Sequence, residues 1–223
     1  MHVLLFIKYP CPGQVKTRLA KDIGDEHARG LYRAFVRDEL ETIRRAGLEV
    51  TLCCAPNATL PAYRTWLGPQ GNYTTQHGAD LGERMANALA ATLALTSPAV
   101  LIGGDVPDLP VESLVAAQNA LNTEDICLGP SQDGGFYLLG VRAPQPWSRI
   151  FANVCWGTSQ VLERTLDNCR ALGICPRLVP TWSDVDTLAD LGAFLRRGVK
   201  TCDATMAYVR AHNLEPLSAA TPR

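Results

Sequence analysis

The chain of 223 residues carries 47% apolar and 19% charged side chains, the balance of one ordinary globular domain or at most two small ones. A net charge of −1 gives no global basic field for nucleic acid, and no apolar run approaches the roughly 18 residues of a membrane helix. Eight cysteines form no Cys-x-x-Cys pair and the four histidines lack zinc spacing, so the thiols are expected to be reduced and structural, in a cytoplasmic protein.

Met1–Ile7 is too short for the apolar core of a signal peptide and its flanks; Val3–Ile7 reads as a first strand, closed by Pro10, Pro12 and Gly13. Lys8, Lys16 and Arg18 place three cations around this Gly/Pro loop, where a helix opens. Free N–H groups and the macrodipole at a helix start favour anions, so cations there oppose the dipole unless an anionic ligand lies between them. The loop has neither the Walker nor the dinucleotide glycine spacing. From about Lys16 to Ala46 the spacing of Leu31, Phe35, Leu40 and Ile43 predicts a helix, with Gly47 just past its end. Glu49–Cys54 predicts a second strand, 61–67 a short helix, and Tyr73–Gln76 a third strand. Leu81–Leu95 is alanine-rich and helical; Asp80 could be its N-cap, with Glu83 completing a capping box.

Ala99–Ile102 predicts a buried strand that breaks at Gly103-Gly104-Asp105-Val106-Pro107. An acid at the carboxyl end of a central strand lies where α/β sheets bind ligands, and a hard cation bridging nucleotide phosphates needs one or two such carboxylates. Asp105 is equally compatible with a turn, and Asp108, just past Val106-Pro107, with a place near Asp105 or with a cap on the next turn. Strands over 125–129 and 135–141 are joined by Pro130-Ser131-Gln132-Asp133-Gly134, either a plain hairpin turn or a place where glycine lets the backbone approach a ligand. A helix over 158–172 and a strand over 177–179 precede Asp184-Val185-Asp186 and a helix from Thr187. Asp184 and Asp186 are read as carboxylates reaching across the site or as caps, since Thr187 and Asp190 have capping-box spacing. Trp156 is either core or a stacking surface, and residues 218–223 read as a disordered tail. Strands alternating with helices imply an α/β domain spanning 1–217, a mixed, mostly parallel sheet with helices on both faces and one antiparallel insertion.

The run Lys8 to Leu19, Gly104-Asp105-Val106-Pro107 and residues 129–140 together resemble a bacterial family of glycosyltransferase-A-fold proteins that includes arsenosugar-biosynthesis glycosyltransferases. More distantly the chain is similar to 2-phospho-lactate guanylyltransferases and sugar nucleotidyltransferases. Residues 76–85, Trp156-Gly157-Thr158 and 184–187 fit as well, so the resemblance covers roughly residues 1–195. It implies a single-domain nucleotide-diphospho-sugar transferase fold, with a nucleotide at the carboxyl edge of the sheet and Mg²⁺ or Mn²⁺ on its phosphates. The implied metal ligands are Asp105, Asp184 and Asp186, although Gly103 replaces the first acid of the fold's Asp-x-Asp pattern. Lys16 and Asp133 are the implied catalytic residues, with Lys8, Gly13, Arg18, Gln76, Asp80, Gly104 and Gly134 around the nucleotide. Three functions follow: glycosyl transfer from a nucleoside-diphosphate sugar to a small acceptor, nucleotidyl transfer from an NTP to a phosphorylated small molecule, or nucleotide binding without turnover. Each requires Lys16, Asp105 and Asp133 to converge on one pocket, with Asp184 or Asp186 on its far side.

Overall fold

The computed structural model describes residues 1–69, 71–198 and 202–215, so the expected tail at 218–223 lies outside the described residues. Seven strands form one sheet in the order β3-β2-β1-β4-β6-β5-β7, comprising β1 (His2–Ile7), β2 (Glu49–Cys54), β3 (Asn72–Thr75), β4 (Ala99–Gly103), β5 (Ile126–Pro130), β6 (Phe136–Val141) and β7 (Arg177–Leu178). Pairing is parallel except that β6 runs antiparallel to both β4 and β5. That is the expected insertion, and it has a consequence for the site. The start of β6 lies at the same edge as the ends of β1 and β4.

Alternation along β1 divides the core. Val3, Leu5 and Ile7 pack beneath Val36, Tyr63, Trp66 and Leu114, contributed by α2 (Asp25–Arg45), α3 (Leu60–Leu67) and α5 (Val111–Ala120). Leu4 and Phe6 face Met85 and Leu89 of α4 (Leu81–Leu93), a 3-10 turn at Trp147–Phe151, and Cys169 of α6 (Val161–Ala171). Every residue of β1 is buried, as a central strand covered on both faces requires. A third cluster joins Leu19 of α1 (Thr17–Ile23), Leu31 and Phe35 of α2, Leu191 and Phe194 of α7 (Leu188–Arg197) and Val209 of α8 (Asp203–Ala211).

The helix predicted from Lys16 to Ala46 is two helices. Gly24 ends α1 and starts α2 with φ 84°, a conformation that L residues rarely adopt. An added Cβ there would meet nothing within 4 Å, so backbone conformation rather than crowding calls for glycine. Asp25 and Glu26 in the first turn of α2 and Arg44 and Arg45 in its last complement the macrodipole. Neither α8 nor the 3-10 turn is foreseen from the sequence. No helix among the described residues is long and apolar enough to cross a membrane.

Candidate active site

A cavity of about 610 Å³ opens at the carboxyl edge of the sheet, and Lys16, Asp105, Asp133, Asp184 and Asp186 all line it. The convergence expected of Lys16, Asp105 and Asp133 is present. Lys8, Arg18 and Gln76 also face the cavity.

The loop after β1 is wound by hydrogen bonds from the Cys11 N–H to the Tyr9 carbonyl (2.8 Å) and from the Gln14 N–H to the Cys11 carbonyl (3.1 Å). It ends at Lys16, whose backbone is left-handed (φ 50°, ψ 43°). A non-glycine residue held there stores strain, which persists where surrounding contacts over-determine it. Those contacts are visible. The buried Lys16 ammonium lies 2.5 Å from Asp105 Oδ1 and 2.7 Å from Asp186 Oδ1, and 5.7 Å from the centre of the Phe35 ring. Burial alone would lower its pKa, but the charges of Asp105 and Asp186 outweigh that and hold it above the ordinary lysine value. Lys16 is therefore a permanent cation between two carboxylates, not a free cation at a helix start.

The segment 184–186 is placed by its middle residue. Val185 is fully buried in the third core cluster, and its N–H donates to the Asp105 carbonyl at 3.0 Å, tying the acidic segment to the loop after β4. The flanking carboxylates border the cavity. Burial disfavours ionised Asp186, but Lys16, with smaller help from Arg18 and Lys8, overrides this and holds its pKa below the ordinary value. Asp184 accepts from the Ser131 hydroxyl at 3.2 Å, and burial, then the charges of Asp186 and Asp133, push it up to about 6. Among the described residues no cation pairs directly with Asp184, and the Lys16 charge opposes its rise only in smaller part. Capping belongs instead to Thr187 and Asp190, which form a complete capping box on α7.

Asp133 lines the cavity while its Oδ1 accepts the Gly135 N–H at 2.9 Å, so the turn residue and the site residue are one. The Gln76 amide is buried at the ends of β1 and β2, donating to the Cys53 carbonyl at 2.7 Å. Gly13, Asp80, Gly104 and Gly134 are not among the residues lining the cavity. Asp80 caps α4, accepting the Glu83 N–H at 2.9 Å, while Glu83 accepts the Ala79 N–H at 2.8 Å. Gly134 (φ 89°) is crowded by protein, since a Cβ would stand 2.1 Å from the Ser159 carbonyl oxygen. A Cβ on Gly104 would press on Ile7 and Val36 at 3.1 Å, and Gly13 is required by its φ of 71°. Asp108 neither caps α5 nor lines the cavity. It is buried against Arg197 Nε at 2.7 Å and Trp182 Nε1 at 3.1 Å.

Tyr32, which no sequence motif marks, and Arg84, which lies within the 76–85 segment of the resemblance, also border the site. The spacing from the Asp80 cap puts Leu81, Arg84 and Met85 on one helical face, a usable signal for Arg84. Trp156 is half-buried against the second core cluster, 5.8 Å from the Phe151 ring and 6.5 Å from Phe136, and it also lines the cavity. Cys53, Cys54 and Cys127 are buried in strands as expected. Among the described residues no group of three or more His, Cys, Asp or Glu side chains is placed to hold a metal ion by itself. Asp105 and Asp186 nonetheless converge on a cation, with side chains 46% and 38% exposed. Two partly accessible carboxylates facing a cavity fit the demand of a hard cation that takes its other ligands from phosphates and water.

The chain is 36% identical to a protein from Desulfovibrio desulfuricans G20 provisionally named a nucleotide-diphospho-sugar transferase, whose crystal structure superposes with a TM-score of 0.88 over 98% of each chain. It is 30% identical over 173 residues to the 3-phospho-D-glycerate guanylyltransferase of Phenylobacterium zucineum (strain HLK1), covering 75% of this chain and 77% of that one. The inositol-1-phosphate CTP transferase of T. maritima shares the fold alone, at 14% identity and a TM-score of 0.58 over 94% of this chain and 96% of the other. Residues 39–158 match the family described as "Uncharacterized protein conserved in bacteria (DUF2064)". The chain belongs to that family, on the fold of the nucleotide-diphospho-sugar transferases.

Proposed function

We propose that the protein is a nucleotidyltransferase that transfers a nucleoside monophosphate from an NTP to a phosphorylated small acid and releases pyrophosphate. The observation that carries this reading is the gathering of Lys8, Lys16 and Arg18 with Asp105 and Asp186 around one cavity, in a chain 30% identical to a guanylyltransferase. An acceptor phosphate oxygen attacks the α-phosphorus, and the bond from that phosphorus to the bridging oxygen breaks. The electron pair leaves with pyrophosphate, so no proton has to be removed from an ionised acceptor phosphate. Lys8 and Arg18 supply point charge and forked donors to the phosphates. Lys16, anchored and permanently charged, sets a fixed positive field where negative charge accumulates on the departing oxygens. Asp105 and Asp186 are the residues that would hold Mg²⁺ or Mn²⁺, which when bound neutralises phosphate charge.

A second reading is favoured by the Desulfovibrio desulfuricans relative, 36% identical over nearly the whole chain: the same cations would hold the diphosphate of a sugar nucleotide during glycosyl transfer. One screen separates the two. Purified protein with Mg²⁺ or Mn²⁺ is incubated with each of four NTPs and a panel of phosphorylated acids and sugar phosphates, and pyrophosphate is measured. A parallel set with nucleoside-diphosphate sugars is measured for released nucleoside diphosphate. Pyrophosphate that requires both an NTP and a phosphorylated acid supports the proposal. Nucleoside diphosphate from a sugar nucleotide, with no pyrophosphate in any pair, overturns it, and saturable nucleotide binding with neither product favours a binding protein.

A further inference from the structure

Beneath the cavity, α2 carries two buried polar side chains two turns apart, Tyr32 and Glu39, and each takes a backbone N–H from a different site loop. The Lys8 N–H donates to the Tyr32 hydroxyl at 2.9 Å, holding the loop after β1. The Val106 N–H donates to Glu39 Oε1 at 2.5 Å, holding the loop after β4 next to Asp105. The loops rest directly on this helix, as a Cβ on Gly104 would come within 3.3 Å of the Tyr32 hydroxyl. Glu39 is 0% exposed, and its second oxygen has no hydrogen-bond partner among the described residues.

We propose that Tyr32 and Glu39 are positioning residues that clamp the loops after β1 and β4 at a set separation, with Glu39 acting as a neutral acid whose carbonyl oxygen carries the grip. An ionised carboxylate in a fully buried site with one oxygen unpartnered is costly. A protonated one keeps its acceptor for Val106 and adds no third negative charge behind Asp105 and Asp186. The direction of titration agrees: burial raises Glu39 well above the ordinary carboxyl value, Asp105 adds to the rise, and the Val106 hydrogen bond and Lys16 oppose it only in part. Its neighbour Asp38 is an internal comparison, because this carboxylate instead receives the Ala204 N–H at 3.0 Å and the Thr205 N–H at 2.8 Å, securing α8. The adjacent acids thus serve different ends, one holding the site and the other the packing behind it.

The consequence for ligand binding rests on the nucleotide reading above; the clamp itself does not. Two measurements on the full chain therefore separate them, namely amide hydrogen exchange of the segments 8–16 and 103–107, and calorimetric titration with Mg–GTP. Glu39→Ala should speed exchange in 103–107 by about tenfold or more, because it strips the acceptor from a buried N–H, and Tyr32→Phe should speed exchange in 8–16 by about two- to tenfold, because the Lys8 N–H is only partly buried. Each should weaken Mg–GTP by about the same factor. Glu39→Gln retains an oxygen acceptor and a neutral donor, and should restore both quantities to within about twofold of wild type. Asp38→Ala should lower the melting temperature and leave exchange in 103–107 and Mg–GTP affinity as in wild type. Wild-type exchange in both Glu39→Ala and Tyr32→Phe overturns the clamp, as does a folded Glu39→Gln that behaves like Glu39→Ala. If Glu39→Ala does not fold, Tyr32→Phe and Glu39→Gln carry the decision. A wild-type protein that binds neither Mg–GTP nor any of the other three Mg–NTPs refutes the nucleotide reading while the exchange data still judge the clamp.

Discussion

Lys16→Met removes the ammonium and keeps an apolar stem of similar length in the same left-handed backbone, so its effect reports the charge cluster rather than relief of strain. The Lys16 side chain is 2% exposed, and the two carboxylates it meets are 46% and 38% exposed. Breaking a fully buried pair costs about 3 to 5 kcal/mol, and an exposed pair is worth about 1 or less. Solvent reaches both carboxylates here, and the burial of the ammonium is itself a cost that methionine relieves, so the net loss at pH 7 should be about 2 kcal/mol. For a chain of this size that is a fall of roughly 4 to 8 °C in melting temperature. The pH dependence is more diagnostic. Asp186 is held below its ordinary value of 3.8, so its stabilisation is present above that pH and fades as acid protonates it. Lys16 is held above its ordinary value of 10.5, so its share is complete below that pH and lost only as alkali deprotonates it. The gap between wild type and Lys16→Met should therefore be widest from about pH 5 to pH 10 and shrink towards pH 3. Urea denaturation across that range measures it. In the Lys16→Met background, Asp105→Asn should recover stability, because one of two facing charges has gone, giving a non-additive double-mutant cycle. Equal stability of wild type and Lys16→Met at pH 7, or an additive cycle, would refute the reasoning.

Asp184 makes the opposite prediction. Its carboxyl is raised to about 6, so ionisation costs stability that is absent below the ordinary value of 3.8 and complete above pH 6. Asp184→Asn should stabilise the protein by about 2 kcal/mol at pH 8 and leave it unchanged at pH 3.5, an outcome urea melts at the two pH values would confirm or contradict. Gly134→Ala should cost about 2 to 4 kcal/mol, because the new methyl meets the Ser159 carbonyl oxygen at 2.1 Å on a backbone with φ 89°; a thermal shift under about 3 °C would show that the turn can open. In the native protein an aromatic disulfide reagent should modify exposed Cys155 and Cys175 first and half-buried Cys11 more slowly. Cys53, Cys54 and Cys127, pushed by burial up to about 12, and Cys169, pushed up to about 11, should react only after denaturant is added; rapid native labelling of any of them would contradict the packing described for the sheet.

The sequence by itself determined the strands and the acids that emerge from them. Short apolar runs such as Ala99–Ile102, ended by glycine and proline, carry their boundaries locally, because backbone conformation and period-two burial are properties of a few neighbouring residues. The antiparallel insertion was legible for the same reason, since two strands a short turn apart leave no room for a crossover helix. Which side chains meet was not legible. Lys16 read as a free cation awaiting phosphate, yet its ammonium hydrogen-bonds a carboxylate 170 residues away. That pairing exists only because the sheet order puts β1 beside β4 and the buried Val185 ties the acidic segment to the loop after β4. The break at Gly24 leaves no mark in the apolar pattern, because buried residues at helical spacing flank it on both sides, Leu19 and Ile23 before it and Ala28 and Leu31 after it. Glu39 gave no signal at all. A glutamate on a long helix reads as solvent-exposed until tertiary packing buries it, and its role arises solely from the loop that packing lays against it.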